Sequence, residues 1–240
     1  MGFYSIVAFF QKGGMFMYPI LLVFAVGVAI AFERWIQLYR IRNANGKMWQ
    51  RLQPLLVKGE FEKARQATNK DKSSMARMLS MGLARQGAVR RREDIEIAME
   101  ESMMEIIPQL EKRTPYVALL SNIATLLGLL GTIMGLIEAF TAVANANPAE
   151  KADLLSASIS VAMNTTAFGL MSAIPLLLFH AKLTSTTGQI VDSLEMASVK
   201  ALNSISRLGR LKIEAKQELP KPGKADRPAE PGVNAAPQEG

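Results

Sequence analysis

Residues 115–137 read PYVALLSNIATLLGLLGTIMGLI and residues 154–179 read LLSASISVAMNTTAFGLMSAIPLLLF, two long stretches without one Asp, Glu, Lys, Arg or His. A helix crosses the hydrocarbon core of a bilayer in about 20 apolar residues, so each stretch is long enough to span it. Neither is uniformly apolar. Ser121, Thr125, Gly128, Thr132 and Gly135 recur at spacings of four, three, four and three, which at about 100° per residue puts them on one narrow stripe. Ser158, Ala162, Thr165, Gly169 and Ser172 repeat those spacings, with Thr166 beside Thr165. Two readings fit the stripes. Small residues let membrane helices approach closely, and Gly131-x-x-x-Gly135 is such a pair. Alternatively the hydroxyls, with Asn164, form a polar seam lining a pathway, because in lipid they would be unsatisfied.

A third uncharged run, Met15–Phe32, ends at Glu33-Arg34 with Tyr18 and Trp35 as interfacial anchors. It exceeds the ~7–15 residues of a signal-peptide core and lacks a basic flank and a cleavage site, so a retained span is expected. At 49% hydrophobic residues bunched into three runs, the 240-residue chain reads as a membrane protein. Of its 28 Lys and Arg, 17 lie between Glu33 and Arg113 and nine follow the last run. Positive charge stays in the cytoplasm, which predicts an outside N-terminus and an inside C-terminus. The net charge of +7 then reflects topology. Basic residues interspersed with acids, without an RNA or DNA motif, imply no nucleic-acid partner.

No cysteine and one histidine exclude a disulfide framework, a thiolate nucleophile and a Cys- or His-rich metal site. No phosphate-binding loop, nucleophile elbow or zinc-protease motif occurs, so an enzyme is not expected.

The fold expected is all-α: a polytopic membrane protein of three transmembrane helices whose long helices extend into a cytoplasmic helical domain. Residues 1–14 form a periplasmic interfacial segment, 15–36 the first span, 37–114 the cytoplasmic helices, 115–140 the second span, 141–153 a periplasmic loop and 154–181 the third span. Residues 182–216 continue as a cytoplasmic helix, and the Pro-, Gly- and Lys-rich 217–240 read as disordered. In 92–113, Ile95, Met99, Ile106 and Leu110 share one face. That helix is expected to run unbroken into the second span, with Pro108 and Pro115 its possible kinks. Ile190, Leu194, Ala197, Ala201 and Ile205 form a second stripe, for packing on the middle segment.

Four stretches together resemble the MotA/TolQ/ExbB proton-channel family in its three-span ExbB/TolQ branch: GGMFMYPILL at Gly13–Leu22, FERW at Phe32–Trp35, GLLGTIMGLIEAF at Gly128–Phe140 and NTTAFGLMSAIPLLL at Asn164–Leu178. The resemblance covers roughly residues 1–210. It implies a pentamer whose second and third spans line a pore around the transmembrane helices of two ExbD/TolR-like subunits. It further implies that proton flow drives work on the cell envelope; protons are the coupling ion and no cofactor is needed. Thr132 and Thr166 match the two pore threonines that face the partner's aspartate. Thr165, Thr125, Ser121, Asn164 and Ser158 complete the polar set, while Gly128, Gly131, Gly135 and Gly169 serve packing.

A threonine hydroxyl donates and accepts hydrogen bonds but holds no proton at neutral pH, so the titratable group must come from a partner. The chain departs from the family where many relatives carry a glutamate five residues before the third-span threonine; here that position is Val161. Glu138, at the outer end of the second span, is either a loop-facing acid or a relay member. His180, at the inner end of the third, is either interfacial or part of a proton exit. A non-conducting scaffold of this architecture and a solute-uptake component are the alternative functions. Nothing in the sequence selects which envelope system is energised.

Overall fold

The computed structural model describes residues 14–86, 92–144 and 146–218, with the backbone alone given for Gly209 and 211–218. The N-terminal interfacial segment before Gly14 and the tail after Glu218 lie outside the described residues. Six α-helices follow in order: α1 Met17–Lys58, α2 Phe61–Asn69, α3 Ser74–Arg85, α4 Arg92–Glu111, α5 Thr114–Ala144 and α6 Lys151–Glu218. The described residues contain no β-strand; the protein is all-α. Three of its helical stretches are long and apolar enough to cross a membrane, and they contain α1, α5 and α6.

At 1.5 Å per residue, the 68 residues of α6 reach roughly 100 Å and the 42 of α1 roughly 60 Å, against a hydrocarbon core of about 30 Å. Both therefore project far beyond a bilayer on the same side. Their distal halves form one core with α2–α4: Leu38, Met48, Leu52 and Leu56 of α1 pack with Met75, Met78 and Leu79 of α3 and with Leu194 and Leu202 of α6. Both stripes expected from periodicity are buried, namely Ile95, Met99, Ile106 and Leu110 on α4, and Ile190, Leu194, Ala197, Ala201 and Ile205 on α6.

Local chemistry explains the turns in this domain. Gly59 ends α1 at φ 76, a left-handed conformation free of Cβ strain only for glycine. Its N–H and that of Glu60 donate to the otherwise orphaned carbonyls of Leu56 and Leu55. The Ser73 hydroxyl accepts from Ala76 N–H at 3.2 Å, capping α3, and Asn45 of α1 reaches across to accept from Met75 N–H at 3.1 Å. Two donors of the α3 N-terminus are thereby satisfied.

The expected unbroken passage from α4 into the second span is corrected. Pro108 is accommodated inside α4, but the chain breaks at Lys112 and Arg113, the latter at φ 67. Pro115 lacks the N–H that would bond the Glu111 carbonyl and its ring crowds that carbonyl, a conflict absent from the first turn of a new helix, so the helix restarts at Thr114 rather than running through. Adjacent residues of α1 hold both sides of this break. Glu33 Oε1 accepts from Arg113 Nη1 at 2.6 Å. Arg34, only 2% exposed, donates through Nη2 to the Leu110 carbonyl and through Nη1 to Gln37 Oε1 at 2.5 Å. Leu110 O belongs to the last turn of α4, where carbonyls lack intrahelical donors.

Arg34→Leu is therefore expected to lower stability by about 1–3 kcal/mol, the cost of an unsatisfied buried carbonyl, and to speed tryptic cleavage at Lys112–Arg113. Glu33→Gln, in a half-exposed pair, should cost less than about 1 kcal/mol. Thermal unfolding and timed proteolysis in detergent check both; an Arg34→Leu protein matching the unaltered chain would refute the clamp.

Candidate functional site

The second and third spans, α5 and α6, pack as an antiparallel pair along the stripes of small and hydroxyl residues. A Cβ built on Gly128 meets Gly169 Cα at 3.2 Å and Thr166 Cα at 3.3 Å, and one on Gly169 meets Ala124 O at 2.8 Å. At Gly135 the obstacle is Ala162 Cβ at 2.8 Å, and at Gly131 it is the Thr165 side chain. Backbones this close require glycine on at least one side. The same stripes hold hydroxyls inside the seam. Ser121 is fully buried and donates to Ala173 O of α6 at 2.8 Å. Thr165, also buried, donates to Val161 O one turn earlier at 3.0 Å.

One step around each helix, the seam opens. Thr132 and Thr166 are half-buried, and their Oγ1 atoms lie 2.7 Å apart across the two helices. Thr166 Oγ1 also lies 2.9 Å from Gly128 O, and Thr132 Oγ1 lies 2.9 Å from Leu129 O and 3.2 Å from Gly128 O. Each hydroxyl has one proton and two lone pairs. If Thr166 donates to Gly128 O, Thr132 donates to Thr166; if Thr132 donates to a carbonyl, Thr166 donates to Thr132. The two arrangements differ only by hydroxyl rotation, so the pair can reverse its polarity without moving a helix.

The remaining residues read from the sequence are dispersed along the two helices. Thr125 is exposed and donates to Ser121 O at 3.2 Å. Asn164 and Ser158 are half-buried on α6, and Glu138 is exposed near the end of α5. Val161 packs beside the start of α1, its Cγ1 3.2 Å from a Cβ built on Gly14. His180 lines a separate cleft at the other end of the seam, with Glu111 and Thr187. No group of three or more His, Cys, Asp or Glu able to hold a metal occurs among the described residues.

Sequence reasoning missed Arg34 as a buried residue, since FERW reads as an interfacial anchor. It also missed Thr114 and Thr187, which fall outside both uncharged runs; their 18-residue offset from Thr132 and 21-residue offset from Thr166 were signals available in the sequence.

The outer faces of α5 and α6 are apolar and uncovered in the protomer: Leu126, Leu129, Ile133 and Ile137 on one, Met163, Met171, Ile174 and Leu178 on the other. Three membrane-length helices with such faces and an internal polar seam define a multi-pass membrane protein. The profile of the MotA/TolQ/ExbB proton channel family matches residues 70–196, and the chain belongs to that family. Among its relatives, an ExbB-like biopolymer transport protein of Synechocystis sp. (ExbB-like 3) is 31% identical over 177 residues, covering 70% of this chain and 80% of that one. ExbB-like 1 of the same organism is 29% identical over 76% of this chain and 72% of its own. The Tol-Pal system protein TolQ of Haemophilus influenzae is 34% identical over a shorter 86 residues, 36% of this chain and 37% of its own. A solved structure of C. jejuni MotAB shares the fold, with TM-score 0.56 and 14% identity over 88% of this chain and 87% of that one.

Proposed function

We propose that the chain is the pore-forming subunit of a proton-driven inner-membrane motor. In this reading it assembles as a homopentamer around two copies of a single-span ExbD/TolR-like protein. The single observation that carries the reading is the Thr132–Thr166 hydroxyl pair at 2.7 Å in spans whose uncharged runs contain no Asp, Glu, Lys, Arg or His. A reversible hydroxyl pair orders water and hydrogen-bonds a neighbouring carboxylate, yet it cannot itself store the proton. The partner's intramembrane aspartate supplies that group, as carboxylates do in membrane proton relays. The uncovered apolar faces of α5 and α6 suit subunit and lipid contacts. The Lys- and Arg-rich helical domain lies in the cytoplasm and the α5–α6 loop in the periplasm, following the charge distribution.

The driving energy is about 2.3 kcal/mol per charge per 100 mV, delivered to the envelope through the partner. The experiment is reconstitution into liposomes with a pH-sensitive dye inside and an imposed membrane potential. Chain plus a single-span partner bearing a transmembrane Asp is expected to carry protons, while the chain alone, or with the Asp changed to Asn, carries none. A proton flux independent of the partner would overturn this division of roles. Failure of any such partner to copurify with the chain would overturn it too.

A further inference from the structure

The face that carries the threonine pair continues beyond it toward the helical domain. Thr114 lies 18 residues before Thr132 on α5 and Thr184 lies 18 residues after Thr166 on α6, each about five whole helical turns away. Because the helices are antiparallel, both residues arrive at one level, roughly 27 Å from the pair, and both line one cleft of about 480 Å³. His180, 14 residues after Thr166 and so also near its face, lines that cleft as well.

Two observations say that the cleft takes a polar occupant. Thr114 and Thr187 are 6% and 5% exposed, and the Oγ1 of each is buried without a hydrogen-bond partner among the described residues. Such hydroxyls call for water or another small polar ligand to satisfy them. Besides His180, the titratable groups that line the cleft are Glu111, from the end of α4, and Asp192, about three helical turns further along α6; no lysine or arginine among the described residues lines it, and Lys182, two residues from His180, is exposed outside it. Arg34 and Arg113 are drawn instead to Leu110 O and to Glu33. Two carboxylates without a basic counterpart favour a cation.

We propose, on the proton reading above, that this cleft is the hydrated station through which protons leave the seam on the helical-domain side, with His180 as the relay. A hydronium ion there gives its proton to the free imidazole nitrogen, forming an N–H bond and leaving water. The imidazolium then returns the proton to a second water facing the bulk. Glu111 and Asp192 hold the passing charge, and Thr114 and Thr187 order the water.

The chain has no cysteine, so single introduced thiols report hydration directly. In the complex with its partner, the Thr187→Cys protein is expected to react with a small charged thiosulfonate within about tenfold of the rate of the Thr184→Cys protein, whose thiol is exposed. Reaction of the Thr184→Cys protein with none of the Thr187→Cys protein would show a dry cleft and overturn the proposal. In proteoliposomes, His180→Gln should lower proton flux about tenfold at each of a series of pH values on the helical-domain side, because an amide does not take up and return a proton as an imidazole does. Flux from the unaltered complex with an unchanged His180→Gln profile overturns this inference alone. No flux from the unaltered complex overturns the proton reading and this inference with it.

Discussion

Thr166→Val is expected to abolish proton-driven activity, reducing flux at least tenfold, while the complex assembles as before. Valine has the shape of threonine without the hydroxyl, so packing across the seam is kept and two contacts vanish: 2.7 Å to Thr132 Oγ1 and 2.9 Å to Gly128 O. Interhelical hydrogen bonds in membrane proteins are worth about 0.6 kcal/mol on average and about 1.7 at most, so stability should fall by no more than that. The functional loss is larger because the pair works as a unit. Without Thr166, the Thr132 hydroxyl is left with the carbonyls of its own helix and no longer reverses. Thr166→Ser restores the hydroxyl and is expected to recover most of the flux. Thr132→Val should resemble Thr166→Val in flux, with a smaller effect on stability because its carbonyl contacts lie within α5. Dye-reported flux, partner copurification and thermal unfolding decide the matter, and a fully active, assembled Thr166→Val complex would remove the pair from the pathway.

Gly169→Ala is expected to have the second large effect, and it acts through distance. The added Cβ would lie 2.8 Å from Ala124 O and 2.9 Å from Gly128 Cα, both backbone atoms of α5. No flexible side chain stands in the way to absorb the clash. The helices must separate, which costs about 1–3 kcal/mol as overpacking does elsewhere and lengthens the Thr132–Thr166 contact beyond hydrogen-bond range. Lower thermal stability and lost flux should therefore appear together. Gly46 supplies the control, since a Cβ there meets nothing within 4 Å. Gly46→Ala should leave flux unchanged and raise stability by up to about 1 kcal/mol through helix propensity. Equal unfolding midpoints for the Gly169→Ala and unaltered proteins would show that the seam tolerates opening.

The two predictions separate features that share one sequence signal. Ser121 and Thr125 are four residues apart, and Thr165 and Thr166 are neighbours, so periodicity assigns all of them to the same broad stripe. In the structure Ser121 and Thr165 are sealed between α5 and α6, whereas Thr166 is half-buried and Thr125 exposed. A difference of ~40–100° about the helix axis divides packing from an open polar face. That angle acquires meaning only when the neighbouring helix is in position. The break at Arg113 is a similar case: Pro108 and Pro115 both mark possible kinks, but the first is absorbed in α4 and only the turn before the second breaks.

By itself the sequence determined the membrane class, the three spans and the helical stripes, because run length and periodicity are one-dimensional properties that a bilayer and a helix read directly. Family motifs also pointed to Thr132 and Thr166. Only the tertiary structure decided that these two hydroxyls meet, that Arg34 is a buried cap on α4, and that Glu111, Thr114, His180 and Thr187 converge on one cleft. Those relations join residues far apart in the chain, which run length and periodicity do not connect, and close packing at Gly128 and Gly169 is what brings the two hydroxyls together.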